Sequence, residues 1–178
     1  MKTLIVYYSH TANNEKLALE LQRLLDCNIL KIEEINKRTG LTILLDLVFG
    51  RMPAVRFSPS DLIKYDHIVF VAPIWVGKIA TPLKTFLFNE KSNILEYSFI
   101  TLCGGSQSQK EKIKRELSGI VHREPQRVVE LRINDLLYPD QKGKIKFTSG
   151  YRIAKEDLRV FESEIRDFLE QFMVTNLK

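Results

Sequence analysis

The chain has 178 residues, of which 44% are hydrophobic and 28% charged, and it carries a formal net charge of +5. This length and composition fit one globular domain with a sizeable core, and we expect residues 1–178 to form a single domain. The two cysteines, Cys27 and Cys103, are too few for a secreted disulfide framework or a zinc cluster. They favour a reducing, cytoplasmic location.

The sequence disfavours both membranes and nucleic acids as partners. The first apolar run, residues 3–8, is too short for the core of a signal peptide, and no other stretch approaches the length of a membrane span. The densest basic segment, residues 110–127, is interleaved with glutamates and holds no Phe, Tyr or Trp. A single-stranded nucleic-acid platform would place aromatic rings among the bases. We therefore interpret this segment as a solvated helix face and expect no nucleic-acid partner.

Short apolar runs alternate with longer amphipathic ones along the chain. Buried strands are predicted at residues 4–8, 28–32, 68–72, 98–102 and 127–133. Apolar side chains at helical spacing predict helices at residues 17–25, 83–87, 113–121 and 158–172. Strands that alternate with helices predict the α/β class, here a doubly wound three-layer sandwich around a five-stranded parallel sheet.

Two segments interrupt this alternation. Residues 36–60 are longer than a simple connection and predict a short extra helix with a loop. Their apolar stretch, residues 41–49, is open to three interpretations: a homodimer surface, a lid over an acceptor site, or a helix packed on its own domain. Residues 134–151 are polar and contain proline and glycine, which predicts a long loop or a small hairpin.

Polar residues follow the first predicted strand and lead directly into a helix. Ligands of open α/β sheets bind beyond the carboxyl ends of the strands, so this turn is a candidate site. Backbone N–H groups and the dipole at a helix N-terminus favour an anion, and the neighbouring hydroxyls and amides add hydrogen bonds. The turn therefore predicts a phosphate site made of Ser9, His10, Thr11, Ala12, Asn13 and Asn14.

Two phosphate-binding motifs are missing from this first turn, and their absence narrows the class of ligand. No lysine follows a glycine-rich stretch, which disfavours a nucleoside triphosphate bound in a P-loop. The G-x-G-x-x-G pattern of a dinucleotide-binding turn is also missing. We therefore expect a terminal monophosphate, held by dipoles and hydroxyls rather than by a fixed cation.

Two further turns offer surroundings for a flat ring. After the third strand, an aromatic plane and a glycine that permits close approach lie in the run Pro73, Ile74, Trp75, Val76, Gly77 and Lys78, which places the only tryptophan on a turn. After the fourth strand, two glycines let backbone N–H groups face a ligand in the run Cys103, Gly104, Gly105 and Ser106. We interpret Cys103 as a small buried residue rather than a redox thiol.

The three turns, in this order and spacing, resemble the flavodoxin family over nearly the whole chain. The most specific match is residues 9–14, because the phosphate loop of the family reads Ser/Thr-x-Thr-Gly-Asn-Thr. The resemblance implies strand order 2-1-3-4-5 and non-covalent FMN, with its phosphate on Ser9, Thr11, Asn13 and Asn14 and its isoalloxazine between the second and third turns. It also implies electron transfer, either to a redox partner protein or to a small quinone-like acceptor.

Three features depart from the pattern of the family. Ala12 stands where the family has glycine, and a Cβ at a position of positive φ would strain the loop and lower phosphate affinity. Asn14 replaces a threonine, which changes the reach of its hydrogen bonds. The positive net charge contrasts with the acidic electron carriers of the family. Two alternatives stay open: an NAD(P)H-dependent FMN quinone reductase, and a flavin-free module that retains the fold for protein contacts.

Overall fold

The computed structural model describes residues 1–35, 42, 45–46, 49–57, 61–105 and 107–173. Its strands are β1 (Thr3–Tyr7), β2 (Asn28–Lys31), β3 (Glu33–Glu34), β4 (Val55–Arg56), β5 (His67–Val71), β6 (Ile74–Trp75), β7 (Lys78–Ile79), β8 (Tyr97–Cys103) and β9 (Val128–Arg132). Its α-helices are α1 (Asn13–Leu25), α2 (Thr81–Glu90), α3 (Lys110–Val121), α4 (Ile145–Gly150) and α5 (Glu162–Met173). Short 3-10 turns lie at Leu62–Lys64, Lys91–Asn93, Ile133–Leu136 and Glu156–Phe161.

A parallel sheet of five strands forms the middle layer, in the order β2-β1-β5-β8-β9. Counted along the chain within this sheet, that order is 2-1-3-4-5, so the predicted order and class are confirmed. The central strands β1, β5 and β8 are buried at every residue. Burial on both faces explains why their sequences are continuous apolar runs, since a parallel sheet is covered by helices on each side.

Each face of the sheet has its own apolar core. On one face, Leu4 and Val6 of β1 pack in a cluster with Phe86 of α2 and Leu117 of α3. On the other face, alternate residues of the same strands pack with helices α1 and α5, as in the cluster that contains Ile5, Leu17 and Phe168. The alternation follows from strand geometry, in which successive side chains point to opposite faces. The predicted three-layer arrangement is therefore confirmed.

The connections that leave β1 and β5 create a crevice at the carboxyl edge of the sheet. Tyr7, the last residue of β1, aligns with Lys31 of β2 on one side and with Val71 of β5 on the other. The chain leaves β1 toward β2 and leaves β5 toward β8, so the two connections diverge. Such a switch point is the usual ligand site of doubly wound sheets.

The predicted insertion at residues 36–60 has a structured base. Strands β3 and β4 pair antiparallel across it, with Glu33 opposite Arg56 and Glu34 opposite Val55. Within it, the described residues Thr42, Leu45, Asp46 and Phe49 are helical, which agrees with the short extra helix predicted from the sequence. Residues 36–41, 43–44, 47–48 and 58–60 lie outside the described residues, so the three interpretations of residues 41–49 stay predictions.

The long loop or small hairpin predicted at residues 134–151 is correct in part: residues 137–144 lie outside any helix or strand, whereas the hairpin is wrong. This segment continues a 3-10 turn at Ile133–Leu136 and then forms helix α4, and none of its residues, all of them described, lies in a strand. The Asn134 side chain accepts the N–H of Gly143 at 2.6 Å, which closes the chain on itself. Local bonds then continue, because the carbonyl of Lys144 accepts the N–H groups of Phe147 and Thr148. The polar composition indicated the loop at residues 137–144 but gave no sign of the helical turns on either side of it.

The described helices are short. Helix α1, with 13 residues, is the longest of them. The closing helix predicted at residues 158–172 begins as the 3-10 turn Glu156–Phe161 and continues as α5. Within the described parts of the chain, no helix has the length and apolar character that crossing a lipid bilayer requires.

Candidate functional site

Residues 9–14 lie in the crevice between the end of β1 and the start of α1. Ala12 immediately precedes the helix at φ 64° and ψ −4°, and no side chain caps the helix N-terminus from this position. The first N–H groups of an α-helix have no partner within the helix, so an uncapped N-terminus at a ligand crevice suits an anion. The positive φ of Ala12 confirms that a residue with a Cβ occupies a strained position, as the glycine of the resembling phosphate loop indicated.

Ser9 supplies a buried hydroxyl beside this helix N-terminus. Its Oγ is fully buried and has no hydrogen-bond partner among the described residues. Leaving a buried polar group without a partner costs about 1–3 kcal/mol. The Ser9 hydroxyl is therefore available for a ligand oxygen in the crevice. Thr11 is half-buried and His10 is exposed on the same loop.

Asn13 and Asn14 use their side chains to fix the loop. Asn14 pairs with both backbone groups of Leu102 in β8, donating to its carbonyl at 3.0 Å and accepting its N–H at 2.9 Å. Asn13 donates to the carbonyl of Tyr151 at 2.9 Å and accepts the N–H of Ile153 at 3.1 Å. Both side-chain amides thus bind backbone groups that are distant in sequence. With the side chains engaged in this way, the backbone N–H groups of Asn13 and Asn14 are the groups that face an anion at the start of α1, and the phosphate site stays a prediction.

The run after the third sheet strand forms a small hairpin, which corrects the predicted position of Trp75. Trp75 lies in strand β6 and pairs with Lys78 of β7. The two-residue turn between them is Val76, at φ 49°, and Gly77, at φ 73°. Positive φ at both positions is the requirement of a type I′ turn. Asn-Gly is the usual signal for this turn, so a valine in the first position hid the hairpin from sequence reasoning.

Trp75 is held against the first turn by ring contacts. Its ring lies edge-on to Tyr8 at 5.8 Å and to His10 at 6.2 Å, measured between ring centroids. The Tyr8 hydroxyl donates a hydrogen bond to Glu34 of β3, which links this group of rings to the base of the insertion. The first and second predicted turns therefore meet, and an aromatic wall borders the crevice between them.

The third predicted turn packs against the segment that was predicted as a loop. A Cβ on Gly104 would lie 3.1 Å from the Thr148 side chain of α4, and a Cβ on Gly105 would lie 2.9 Å from Nε2 of Gln109. A Cβ at Gly104 would therefore crowd Thr148, whereas at Gly105 the flexible end of the Gln109 side chain could move away. Burial raises the pKa of the Cys103 thiol to about 11, which confirms the interpretation of Cys103 as a buried residue rather than a reactive thiol. Ser106 lies outside the described residues.

No family model matches the chain, and no curated protein matches its sequence. Solved structures do match. A flavoprotein from Lactobacillus acidophilus in complex with FMN has a TM-score of 0.64 at 22% identity, covering 72% of this chain and 92% of its own. A protein from Bacteroides eggerthii, provisionally named a flavoprotein, has a TM-score of 0.63 at 15% identity, covering 93% and 98%. Together with the strand order, these matches decide the architecture. The chain has the flavodoxin-like fold.

Within this flavodoxin-like fold, helix α3 positions both ring-side turns through residues that sequence reasoning missed. Glu130 of β9 accepts the N–H of Gln109 at 3.0 Å and the Ser108 hydroxyl at 2.7 Å, which places a carboxylate at the N-terminus of α3. Glu116 of α3 accepts the N–H of Ile79 at 2.8 Å and thereby anchors the hairpin. The partners of both carboxylates include backbone N–H groups distant in sequence, so no local pattern reveals them.

The hairpin turn also faces two side chains of the α3 region. Oε1 of Gln109 and Nζ of Lys112 each lie 2.7 Å from the point that a Cβ on Gly77 would occupy. The positive φ of Gly77 favours glycine at this position, whereas the flexible ends of the Gln109 and Lys112 side chains could move to admit a Cβ. Lys78, on the opposite side of the turn, is exposed. The crevice is bordered by an uncapped helix N-terminus at one end and by the hairpin and the glycine turn at the other.

Proposed function

We propose that this protein binds FMN without a covalent bond and transfers electrons through it. The observation that carries the proposal is the Ser9 hydroxyl, which is buried without a partner beside the uncapped N-terminus of α1. A phosphate monoester supplies the anion and the hydrogen-bond acceptors that this corner lacks. The FMN bound by the Lactobacillus acidophilus flavoprotein, which shares the fold, supports the same assignment.

The residues of the crevice divide into two groups under this proposal. Ser9, Thr11 and the first backbone N–H groups of α1 would hold the phosphate, while the glycine turn and Trp75 would border the ring. FMN, when bound, supplies one-electron and two-electron redox chemistry. The chain supplies position and electrostatics. The thiol of Cys103 stays protonated at neutral pH because its pKa is about 11, so the proposal assigns it no redox role.

Titration of the apo protein with FMN tests the proposal, with quenching of flavin fluorescence as the readout. We expect saturable binding with one FMN for each chain. The variant Ser9→Ala should weaken binding about tenfold, because a charge-assisted hydrogen bond to the phosphate is lost. It should leave the apo protein as stable or more stable, because the buried hydroxyl without a partner is removed. Absence of FMN binding to the wild-type protein would overturn the proposal.

Ser163→Ala is the matched control for this titration. The Ser163 hydroxyl lies on the exposed side of α5 and donates to Glu164 at 2.7 Å. Its removal should change neither FMN affinity nor stability by a measurable amount. If Ser9→Ala and Ser163→Ala bind FMN equally well, the phosphate is held elsewhere.

An electron carrier and a quinone reductase differ in whether the protein oxidises NAD(P)H without a second protein. The FMN-loaded protein is mixed with NAD(P)H and a soluble quinone, and absorbance of the nicotinamide is followed. We propose the carrier, which oxidises NAD(P)H only after a separate reductase is added. Steady oxidation without that reductase would instead assign the protein as an FMN-dependent quinone reductase.

A further inference from the structure

The most exposed apolar side chains lie on the two segments that border the crevice. Among the described residues, the three large apolar side chains with the highest exposure are Val76 at 83%, Ile145 at 81% and Tyr138 at 74%. Val76 is at the tip of the hairpin, and the other two lie in the segment that ends with α4. Thr148 of α4 packs on Gly104, which brings this segment to the glycine turn. Three strongly exposed apolar side chains therefore lie on the segments that border the site.

Val76 is also in a conformation that valine rarely adopts. Its φ of 49° is in the left-handed region, where a β-branched side chain is an outlier. Strain of this kind costs about 1–3 kcal/mol and collects at functional positions. A polar residue such as asparagine would satisfy the turn at lower cost. The exposed valine therefore contributes to something other than the stability of the hairpin.

Basic side chains lie in the same segments as these apolar ones, and we call them the basic rim: Lys78, Lys112, Lys144, Lys146 and Arg152. Lys112 adjoins the hairpin turn at Gly77, and Lys144 and Lys146 lie within one helical turn of Thr148. Arg152 donates to the carbonyl of Tyr151 at 3.0 Å, and that same carbonyl accepts the Asn13 amide of the first turn. All five side chains are exposed. Within the described parts of the chain, none of the five forms a salt bridge.

The carboxylates that border the crevice are already engaged. Glu130 accepts from the start of α3, Glu116 pairs with Lys84, and Glu15 accepts the Tyr7 hydroxyl at 2.8 Å. The exposed acids in the segments that carry the rim (the hairpin, α3 and residues 134–152) are Glu111, Asp135 and Asp140, three against its five cations, and Asp135 pairs with Arg132. The mouth of the crevice therefore presents net positive charge around exposed apolar side chains.

We propose that the basic rim, with its apolar side chains, is the docking surface for an acidic redox protein that exchanges electrons with the bound flavin. This proposal rests on the proposed FMN function. Charge complementarity identifies the partner, because unpaired cations steer and orient an anionic surface. The rim extends over the hairpin, α3, α4 and the chain beyond α4. A mixture of exposed apolar groups and unpaired cations over separate segments fits the core and rim of a protein interface.

One haem protein, prepared in a basic form and in an acidic form, probes this surface. Dithionite first reduces the bound flavin under anaerobic conditions, giving it two electrons and one proton. Each reduced flavin then returns two electrons to two ferric haems, which become ferrous, and releases its proton. The probes are cytochrome c, which is basic, and cytochrome c with succinylated lysines, which is acidic and carries the same haem. Stopped-flow absorbance of the haem gives the rate of each reaction.

We expect faster electron transfer to the succinylated cytochrome at low ionic strength, with a rate that falls as salt rises from about 10 mM to about 200 mM. Unmodified cytochrome c should show the opposite salt dependence. The variants Lys112→Glu and Lys146→Glu should each slow transfer to the succinylated probe about three- to tenfold. Arg123→Glu, at the other end of α3, makes the same change in net charge and should leave the rate unchanged. Equal slowing by Arg123→Glu would overturn the proposal, because net charge rather than the rim would be responsible.

Two further readouts separate this proposal from the proposed function. Calorimetric titration of the chain with succinylated cytochrome c measures docking without the cofactor, and Lys146→Glu should weaken it while Arg123→Glu does not. If the chain fails to bind FMN, the proposed function fails, and this titration still decides the docking surface. If Lys146→Glu raises the KM for NADPH and leaves both cytochrome rates unchanged, the rim binds a nucleotide and the docking proposal is overturned.

Discussion

The amino and carboxyl edges of the sheet differ in whether their buried polar groups have hydrogen-bond partners and in whether their backbone is strained. At the amino edge, Asp66 accepts the N–H of Lys2 at 2.6 Å, and the buried ring of His67 lies 3.1 Å from the hydroxyl of Ser98. At the carboxyl edge, the Ser9 hydroxyl is buried without a partner in the described chain, and Ala12 and Val76 adopt positive φ. One edge is internally satisfied, and the other retains unsatisfied and strained groups.

Positive φ also occurs at two helix C-termini, at Asp26 after α1 and at His122 after α3. There it only ends the helix. The left-handed conformation is a common way to end a helix, and the N–H of His122 bonds to the carbonyl of Ser118 at 2.9 Å. Asp and His tolerate this region better than Ala or Val. The contrast indicates that strain at the carboxyl edge serves the site rather than the fold.

The largest effect that tests this contrast is expected at Asn14. This residue lies at the carboxyl edge, but its side-chain amide has hydrogen-bond partners at both its nitrogen and its oxygen. Asn14→Ala should lower the free energy of unfolding by about 2–4 kcal/mol, because the N–H and carbonyl of Leu102 both lose their buried partner. Urea unfolding followed by circular dichroism measures the change. A loss below about 1 kcal/mol would show that water replaces the amide and that this edge is more open than the structure indicates.

Asn28→Ala is the control for this measurement. Asn28 is exposed and donates to the Tyr65 hydroxyl at 2.8 Å on the surface near the amino edge. Because water can replace this bond, we expect the free energy of unfolding to fall by less than about 0.5 kcal/mol.

The second effect concerns His67 at the amino edge and depends on pH. Burial lowers the pKa of His67 from 6.5 to about 4, so the folded protein holds this ring neutral. Between these values the unfolded chain binds more protons than the folded one. Stability is therefore fully present above pH 6.5 and is lost as the pH falls toward 4, by up to about 3 kcal/mol. Urea unfolding at a series of pH values measures this loss.

His67→Gln should flatten the pH dependence in this window, although it lowers stability overall. His122→Gln is the control, because His122 is exposed and its removal should leave the slope intact. The same slope in wild-type protein and His67→Gln would assign the titration to other groups.

The fold was predictable because its information is local. Residues 4–8 and 68–72 are continuous apolar runs, as expected of strands covered on both faces, and residues 17–25 between them have apolar side chains at helical spacing. Residues 134–151 were predicted only in part, because helix α4 was missed. The Asn134 side chain accepts the N–H of Gly143, and a contact between residues nine positions apart leaves no local sequence pattern.

The site was predictable where it depends on chain order and unpredictable where it depends on contacts. The polar run after β1 identified Ser9 and the strained position of Ala12. The roles of Glu116 and Glu130 depend on backbone N–H groups that only the folded chain brings near. Trp75 was predicted on a turn but lies in strand β6 beside it, because Val76 stands where asparagine normally marks a type I′ hairpin. A residue with an unusual backbone conformation thus hides the local signal from which a turn is predicted.

The smallest expected effect tests whether Ala12 is strained in the free protein or only when the phosphate is bound. Glycine adopts φ 64° without the penalty that a Cβ brings, about 1–2 kcal/mol, but it adds freedom to the unfolded chain. Ala12→Gly should therefore stabilise the apo protein by about 0.5 kcal/mol, measured by urea unfolding.

Ala154→Gly is the control for Ala12→Gly, since Ala154 is exposed and outside the residues with positive φ, and it should destabilise by about 0.5 kcal/mol. We expect Ala12 to keep its left-handed conformation whether or not FMN is bound, so that the cost of this conformation cancels in the binding equilibrium. FMN affinity should then rise less than about threefold in Ala12→Gly. A tenfold rise would show that the loop relaxes in solution and is strained only by the phosphate.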